Sequence, residues 1–403
     1  MTEKHERAPL RIVADENIPF VREFFESLGS IVTHPGRTLS SAHVADADVL
    51  LVRSVTPVNE ALLAGSSVKF IGTCTIGTDH LDTAYLDQQD IHYASAPGCN
   101  ANSVVEYVFS VLTQLKPDWI SATFGIIGCG NVGGSLYRRL QALGISTAVY
   151  DPFLNDSQNP NLQTLERVLA SDVICMHTPH TDSGPHPSVH LLNQERLDQL
   201  GDSCVLINAG RGPSIDNKAL KKILEARTDL KVALDVWEPE PNLDVELMDR
   251  IQLASPHIAG YSFDGKVEGT AMIYRALCEA FQIAAIHQVR NHLRGDKSNR
   301  TELNLIDVEG DLFDAVNHAI STAYDVCSDD RRTREALGDQ ACRDSGAELS
   351  GRFDQLRKSY PKRREFHCFH ISALPRHYSP AQKKSLSKVL ATLGFTLASR
   401  EET

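Results

Sequence analysis

Apolar residues fall along this chain in two rhythms. Short unbroken runs read as strands buried on both faces: Leu10–Ala14, Val49–Arg53, Phe70–Cys74, Thr123–Ile127, Thr147–Tyr150, Val173–Met176, Val205–Asn208, Val232–Val236 and Gln252–Ala254. Between them apolar positions recur at helical spacing, over Val21–Leu28, Ser103–Leu115, Val132–Leu143, Leu165–Ala170 and Asn217–Ala226. Strand and helix in alternation predict parallel sheets covered by helices on both faces. The strands are too many for one mononucleotide-binding unit, so the pattern predicts two doubly wound α/β domains.

Proline and glycine mark the breaks. Ala96-Pro97-Gly98 ends the first pattern, and Ser255-Pro256-His257 closes the second. A helix over Val267–His287, apolar at Ala271, Tyr274, Leu277, Cys278 and Phe281, is expected to cross back to the first domain. The boundaries expected are 1–97 with 258–290, then 98–257, then 291–403. In the last segment charge becomes dense (Asp329-Asp330-Arg331-Arg332, Lys362-Arg363-Arg364) and only short apolar runs remain, at Phe366–Ile371 and Leu390–Leu397. It reads as a third, smaller α/β domain with little core of its own.

Composition narrows the class. The chain has 403 residues, 42% of them hydrophobic and 23% charged, ample for a sizeable core. A net charge of −12 argues against a nucleic-acid partner, which needs a basic face. The nine cysteines are scattered with no C-x-x-C pair, so neither a metal site nor a disulfide framework is expected. The N-terminus M-T-E-K-H-E-R is polar, and no run approaches the ~20 apolar residues of a membrane span. A cytoplasmic protein without membrane contact is the expectation.

The first chemical signal is G-C-G-N-V-G, Gly128 to Gly133, directly after the strand T-F-G-I-I. Gly128 permits a tight turn, Gly130 lets backbone approach a pyrophosphate, and Gly133 lets the following helix pack closely. Alone such a motif is weak. Here a strand precedes it, a helix follows, and Asp151 ends the next strand, where a carboxylate accepts from both adenosine ribose hydroxyls and repels a 2′-phosphate. NAD is therefore the expected cofactor.

Three later segments each place a polar group at the carboxyl end of a strand, where such sheets bind ligands. They are I-N-A-G-R-G-P with Arg211, A-L-D-V-W-E-P-E-P with Asp235 and Glu240, and S-P-H-I-A-G-Y with His257. Each alone has a bland explanation: a turn cation, a solvated carboxylate, one histidine of 16. Their joint order after a dinucleotide fingerprint argues against coincidence.

In these motifs residues 10–290 resemble the D-isomer-specific 2-hydroxyacid dehydrogenases. The resemblance implies a flavodoxin-like substrate-binding domain, discontinuous in sequence, with a Rossmann NAD domain inserted into it. It implies Arg211, Glu240 and His257 as the catalytic set for oxidising an alcohol next to a carboxylate: the histidine takes the hydroxyl proton, the glutamate holds its ring, and the arginine offers a planar fork to the carboxylate. For the cofactor it implies Asn131, Val132, Thr178, Ala209, Gly210, Arg211, Asp235 and Gly260 beside the glycines and Asp151, with Asp235 accepting from the nicotinamide carboxamide. For substrate it implies Ser54, Thr75 and Tyr261, and Arg53 beside Ser54 is the candidate phosphate ligand. The segments A-D-E-N (14–17), T-C-T-I-G-T-D-H-L-D (73–82), A-P-G-C-N-A-N-S-V-V-E-Y-V-F (96–109), Y-D-V-C-S-D-D (324–330) and F-D-Q-L-R-K-S-Y-P-K-R-R-E (353–365) narrow the resemblance to one branch, acting on a small phosphorylated 2-hydroxy acid. There the C-terminal domain makes a homodimer. Position 210 is glycine where that branch leads one to expect a larger residue such as cysteine. The alternatives are an enzyme like 3-phosphoglycerate dehydrogenase, or a non-catalytic dinucleotide-binding corepressor on the same scaffold.

Overall fold

The computed structural model describes residues 8–288 and 301–397. The polar N-terminal heptapeptide and the domain boundary expected at 291 lie outside them. The chain forms two compact units, Met1–Asn100 with Phe263–Asn299, and Ala101–Ser262 with Arg300–Thr403. The C-terminal segment is therefore counted with the second unit.

In the first unit five parallel strands run in the order β2-β1-β3-β4-β5. They are β1 (Leu10–Asp15), β2 (Gly29–His34), β3 (Val49–Val52), β4 (Phe70–Thr73) and β5 (His92–Ala94). This is the flavodoxin-like order, with its switch point between β1 and β3. The central strands β3 and β4 are buried at every position, so each reads as a continuous apolar run. β2 and β5 are edge strands with alternating or exposed positions, and the apolar-run pattern does not predict them. The helix expected over Val267–His287 runs instead over Phe263–Ala280. It buries Val267, Ala271, Ile273, Tyr274, Leu277 and Cys278 against Phe24, Phe25 and Phe70.

In the second unit six parallel strands run β11-β10-β9-β8-β6-β7. They are β6 (Phe124–Ile127), β7 (Thr147–Tyr150), β8 (Val173–Met176), β9 (Val205–Asn208), β10 (Lys231–Leu234) and β11 (Leu253–Ala254). The chain moves from β6 outward to β7, then crosses back to β8 on the other side of β6. The crevice between β6 and β8 at their carboxyl ends is thus the switch point where a doubly wound sheet takes its ligand. The boundary falls after Ser262 rather than at His257. Residues 258–262 stay with this unit because Asp235 accepts from the Ile258 and Ala259 amides, Ser103 Oγ donates to Ala259 O, and Ser262 Oγ donates to Glu365.

The C-terminal segment adds a third parallel sheet, β12-β13-β14, of Thr301–Asn304, Phe369–Ala373 and Thr396–Leu397. It does have a core. Leu303, Val316, Ile320, Phe366, Ile371, Leu386, Leu390 and Leu393 are buried in one cluster with Val104, Val108, Val111 and Leu112 of the helix Ala101–Leu115. That helix is buried on nearly every face because the C-terminal segment covers the side its own sheet does not. Polar ties cross the same seam: Ser110 Oγ donates to Tyr324 O at 2.7 Å, and Trp119 Nε1 donates to Asn317 Oδ1 at 3.0 Å.

Candidate active site

The cofactor crevice is built from backbone. β6 ends at Ile127, Gly128 turns with φ 86°, and the helix Asn131–Ala142 begins after Gly130. The turn leaves no room for side chains. A Cβ on Gly128 would lie 3.0 Å from the His177–Thr178 peptide, and one on Gly133 would lie 2.0 Å from Gly128 O. A Cβ on Gly130 would meet nothing within 4 Å. Gly130 therefore borders open space at the start of a helix of 12 residues, whose first-turn amides lack intrahelical acceptors and suit an anion. The arrangement fits a dinucleotide pyrophosphate.

Asp151 follows β7 and joins this turn directly. Its Oδ2 accepts from the Cys129 amide at 2.8 Å, and its Oδ1 accepts from the Phe153 amide at 3.0 Å. The carboxylate is thereby aimed by two N–H groups, with lone pairs left for ribose hydroxyls. On the far wall, Thr178 Oγ1 and Ser214 Oγ share a hydrogen bond of 2.7 Å. A Cβ on Gly210 would sit 3.1 Å from the His177 and Thr178 backbone, so glycine here lets the β8 and β9 loops approach closely. His177, not singled out from sequence, lies between the two glycines. Both of its ring nitrogens are buried with no hydrogen-bond partner among the described residues, and burial lowers its pKa to about 4, so the ring is neutral.

The catalytic candidates stand at the carboxyl ends of β9, β10 and β11. Arg211 has extended backbone, and its loop is braced by Asn208, whose side chain bonds Gly210 N at 3.1 Å and Arg211 O at 3.0 Å. Gly212 admits no side chain, since a Cβ there would lie 1.8 Å from Trp237 O. Glu240 and His257 meet: Nδ1 lies 2.7 Å from Oε2. A carboxylate only accepts, so Nδ1 carries a proton, and in the neutral ring Nε2 is the acceptor. Glu240 Oε1 also accepts from the Trp237 amide at 2.9 Å. Burial pushes the Glu240 pKa up. The His257 charge and hydrogen bond, the Trp237 amide and the Arg357 guanidinium together outweigh burial and hold it below the usual carboxylate value.

His257 itself has φ 57°, a left-handed conformation that costs a non-glycine residue roughly 1–2 kcal/mol. Asp235 supplies the restraint. Its carbonyl accepts from His257 N at 2.7 Å, and its carboxylate, 1% exposed, accepts from Ile258 N, Ala259 N and Ser255 Oγ. In this structure that carboxylate serves the protein's own backbone instead of pointing into open space. Its role is to fix the loop that carries His257, Gly260 and Tyr261.

In the first unit, Arg53 and Ser54 follow β3 and Thr75 follows the adjacent β4, so all three stand at the carboxyl end of the sheet. Ser54 is exposed. Thr75 Oγ1 pairs with Thr73 Oγ1 at 2.8 Å, and Thr73 in turn pairs with His80 Nε2 at 3.0 Å. Arg53 donates Nε to the fully buried Asp15 at 3.0 Å, so one edge of its fork is structural.

Residues 112–259 match the family described as D-isomer specific 2-hydroxyacid dehydrogenase, NAD binding domain, and residues 298–394 match a domain described only as of unknown function (DUF3410). The chain is 50% identical over 394 residues to erythronate-4-phosphate dehydrogenase of Cellvibrio japonicus, covering 96% of this chain and 99% of that protein. It is 42% identical over 369 residues to the Proteus mirabilis protein of the same name, covering 90% and 94%. Among solved structures it is similar in fold to NAD+-bound 3-phosphoglycerate dehydrogenase of Entamoeba histolytica, at TM-score 0.59 and 24% identity, over 68% of this chain and 96% of that one. D-lactate dehydrogenase of Aquifex aeolicus, solved with NAD and lactic acid, gives TM-score 0.57 at 23% identity, over 68% and 95%.

Proposed function

The chain belongs to the erythronate-4-phosphate dehydrogenases, within the D-isomer-specific 2-hydroxyacid dehydrogenase family, and from that premise we propose that it oxidises 4-phospho-D-erythronate with NAD. The products are (R)-3-hydroxy-2-oxo-4-phosphobutanoate, NADH and a proton, a step in pyridoxal 5′-phosphate biosynthesis. The observation that carries the mechanism is the Glu240–His257 pair, with Nε2 left as the acceptor. Arg211 offers its fork to the substrate carboxylate and the developing carbonyl oxygen. His257 Nε2 takes the 2-hydroxyl proton, and Glu240 stabilises the imidazolium that results. Gly128 to Gly133, Asp151, Thr178, Ala209, Gly210 and Gly260 hold NAD, which when bound supplies the hydride acceptor. Ser54, Thr75 and Tyr261 bind substrate, with Arg53 presenting the unused edge of its guanidinium to the phosphate. Purified protein supplied with NAD and 4-phosphoerythronate should form NADH, assayed with and without an added 2-oxo acid in case the cofactor is reoxidised in place. No NADH and no 2-oxo acid product under either condition would refute the activity.

The family resemblance carries two further expectations, a cytoplasmic enzyme and a homodimer built by the C-terminal domain. None of the described helices is long and apolar enough to cross a membrane. The C-terminal segment shares a core with the helix Ala101–Leu115, so a shortage of core is not a reason for dimerisation. Sedimentation should report a dimer for the full chain, and a stable monomer would refute it. Deletion from about residue 298 would uncover the apolar face of that helix, so aggregation is the expected outcome; a folded, active truncated protein would contradict the shared core.

A further inference from the structure

A side chain of the C-terminal segment reaches the catalytic loops. The helix Gly346–Lys358 lies against the turn that carries Glu240: Leu349 and Phe353 share a buried cluster with Trp237 and Leu243, and Ser350 Oγ donates to Asn242 Oδ1 at 2.7 Å. One turn on, the guanidinium of Arg357 stands 5.5 Å from the Tyr261 ring centroid and 5.8 Å from that of Phe353. Tyr261 also meets Tyr360 edge-on, with centroids 6.0 Å apart. Arg357 acts electrostatically on Glu240 and Tyr261, and its Nε is buried with no hydrogen-bond partner among the described residues. A buried N–H of a cation without an acceptor is costly, and its persistence calls for an acceptor that arrives with a ligand.

We propose that Arg357 is a substrate-binding residue, donating to the phosphate of the phosphorylated 2-hydroxy acid. This rests on the function proposed above and deepens it. That substrate brings a carboxylate and a phosphate of nearly two negative charges. They arrive at loops where Glu240 is already ionised and where Arg211 is committed to the reacting end. Beyond Arg53, already assigned to the phosphate, Arg357 offers a further cation beside Tyr261, with its Nε unpartnered among the described residues. The guanidinium also hydrogen-bonds Tyr261, so the donor left for a phosphate oxygen is the buried Nε. The C-terminal segment, a domain of unassigned function by comparison, is in this account part of the substrate site.

The test compares 4-phosphoerythronate with unphosphorylated D-erythronate in the wild type, Arg357→Ala and Arg357→Lys. Arg357→Ala should raise KM for 4-phosphoerythronate by about 10- to 100-fold, the range of one to two charge-assisted bonds, and should lower kcat/KM for it at least ~10-fold more than for D-erythronate. Arg357→Lys should recover part of the loss. Inorganic phosphate should inhibit D-erythronate turnover by the wild type and not by Arg357→Ala. An equal fall for both substrates would show that Arg357 acts only through Glu240 and Tyr261, and unchanged kinetics would remove it from the site; either overturns the proposal. A wild type inert toward 4-phosphoerythronate but active on D-erythronate would sink the substrate assignment, and the phosphate-inhibition arm would still decide the role of Arg357.

Discussion

His257→Ala should cut turnover by ~10²–10⁴-fold while the dissociation constant for NAD stays near the wild-type value. The geometry separates these effects. The loop that carries His257 is fixed by Asp235 bonding the backbone of residues 257–259, which the substitution leaves intact. Alanine also tolerates the left-handed φ of 57° poorly, so a modest fall in melting temperature accompanies the loss. His257→Asn relaxes that strain and keeps a polar side chain, but has no basic nitrogen, and should be equally slow. Nearly normal turnover in either variant, measured at saturating NAD and substrate, would remove His257 from the chemistry.

Arg211→Lys should lower kcat/KM by about 10²-fold, although charge is conserved. In the structure one terminal nitrogen of Arg211 already donates to Gly210 O at 3.0 Å. Beside that brace, a bidentate grip on a carboxylate needs the planar guanidinium. An ammonium on a flexible stem cannot do both. The loop itself is set by Asn208 and by the close approach of Gly212 to Trp237, neither of which depends on the Arg211 side chain. The melting temperature should therefore stay within a few degrees. A large drop in stability with little change in kcat/KM would assign Arg211 a structural role instead.

The sheets were legible where burial is two-sided. β3, β4, β6, β8 and β9 are buried at every position, and their uninterrupted apolar runs announce them. β2, β5 and β12 are edge strands with few buried positions, and nothing in T-E-L-N or H-Y-A separates them from loop. The glycine turn, Asp151, Arg211, Glu240 and His257 could be picked out because each chemistry demands its residue type at a strand end. Asp235 was visible as a polar residue, but its hold on residues 258 and 259 depends on a backbone turn that local sequence does not reveal. Arg53 illustrates the converse: a cation at a strand end that suggests a ligand, and whose Nε the fold spends on the buried Asp15. Arg357 was hidden in a charge-dense stretch. It stands out only once its helix is seen packed on the Glu240 turn, more than a hundred residues away in sequence.

The central claim is the identity of the substrate, and relative specificity tests it most directly. 4-Phosphoerythronate is one hydroxymethylene longer than 3-phosphoglycerate, and both carry a carboxylate, a 2-hydroxyl and a terminal phosphate. With Arg211 on the carboxylate and His257 on the 2-hydroxyl, their reacting ends occupy the same place, and only the phosphate and the 3-hydroxyl distinguish them. A misplaced phosphate loses charge-assisted bonds of about 1.5–3 kcal/mol each, and groups built for the 3-hydroxyl are left unpaired. Steady-state NADH formation with the two substrates under identical conditions should give a kcat/KM ratio of at least ~10² in favour of 4-phosphoerythronate, narrowed in Arg53→Ala. Equal or better use of 3-phosphoglycerate by the wild type would contradict the substrate assignment.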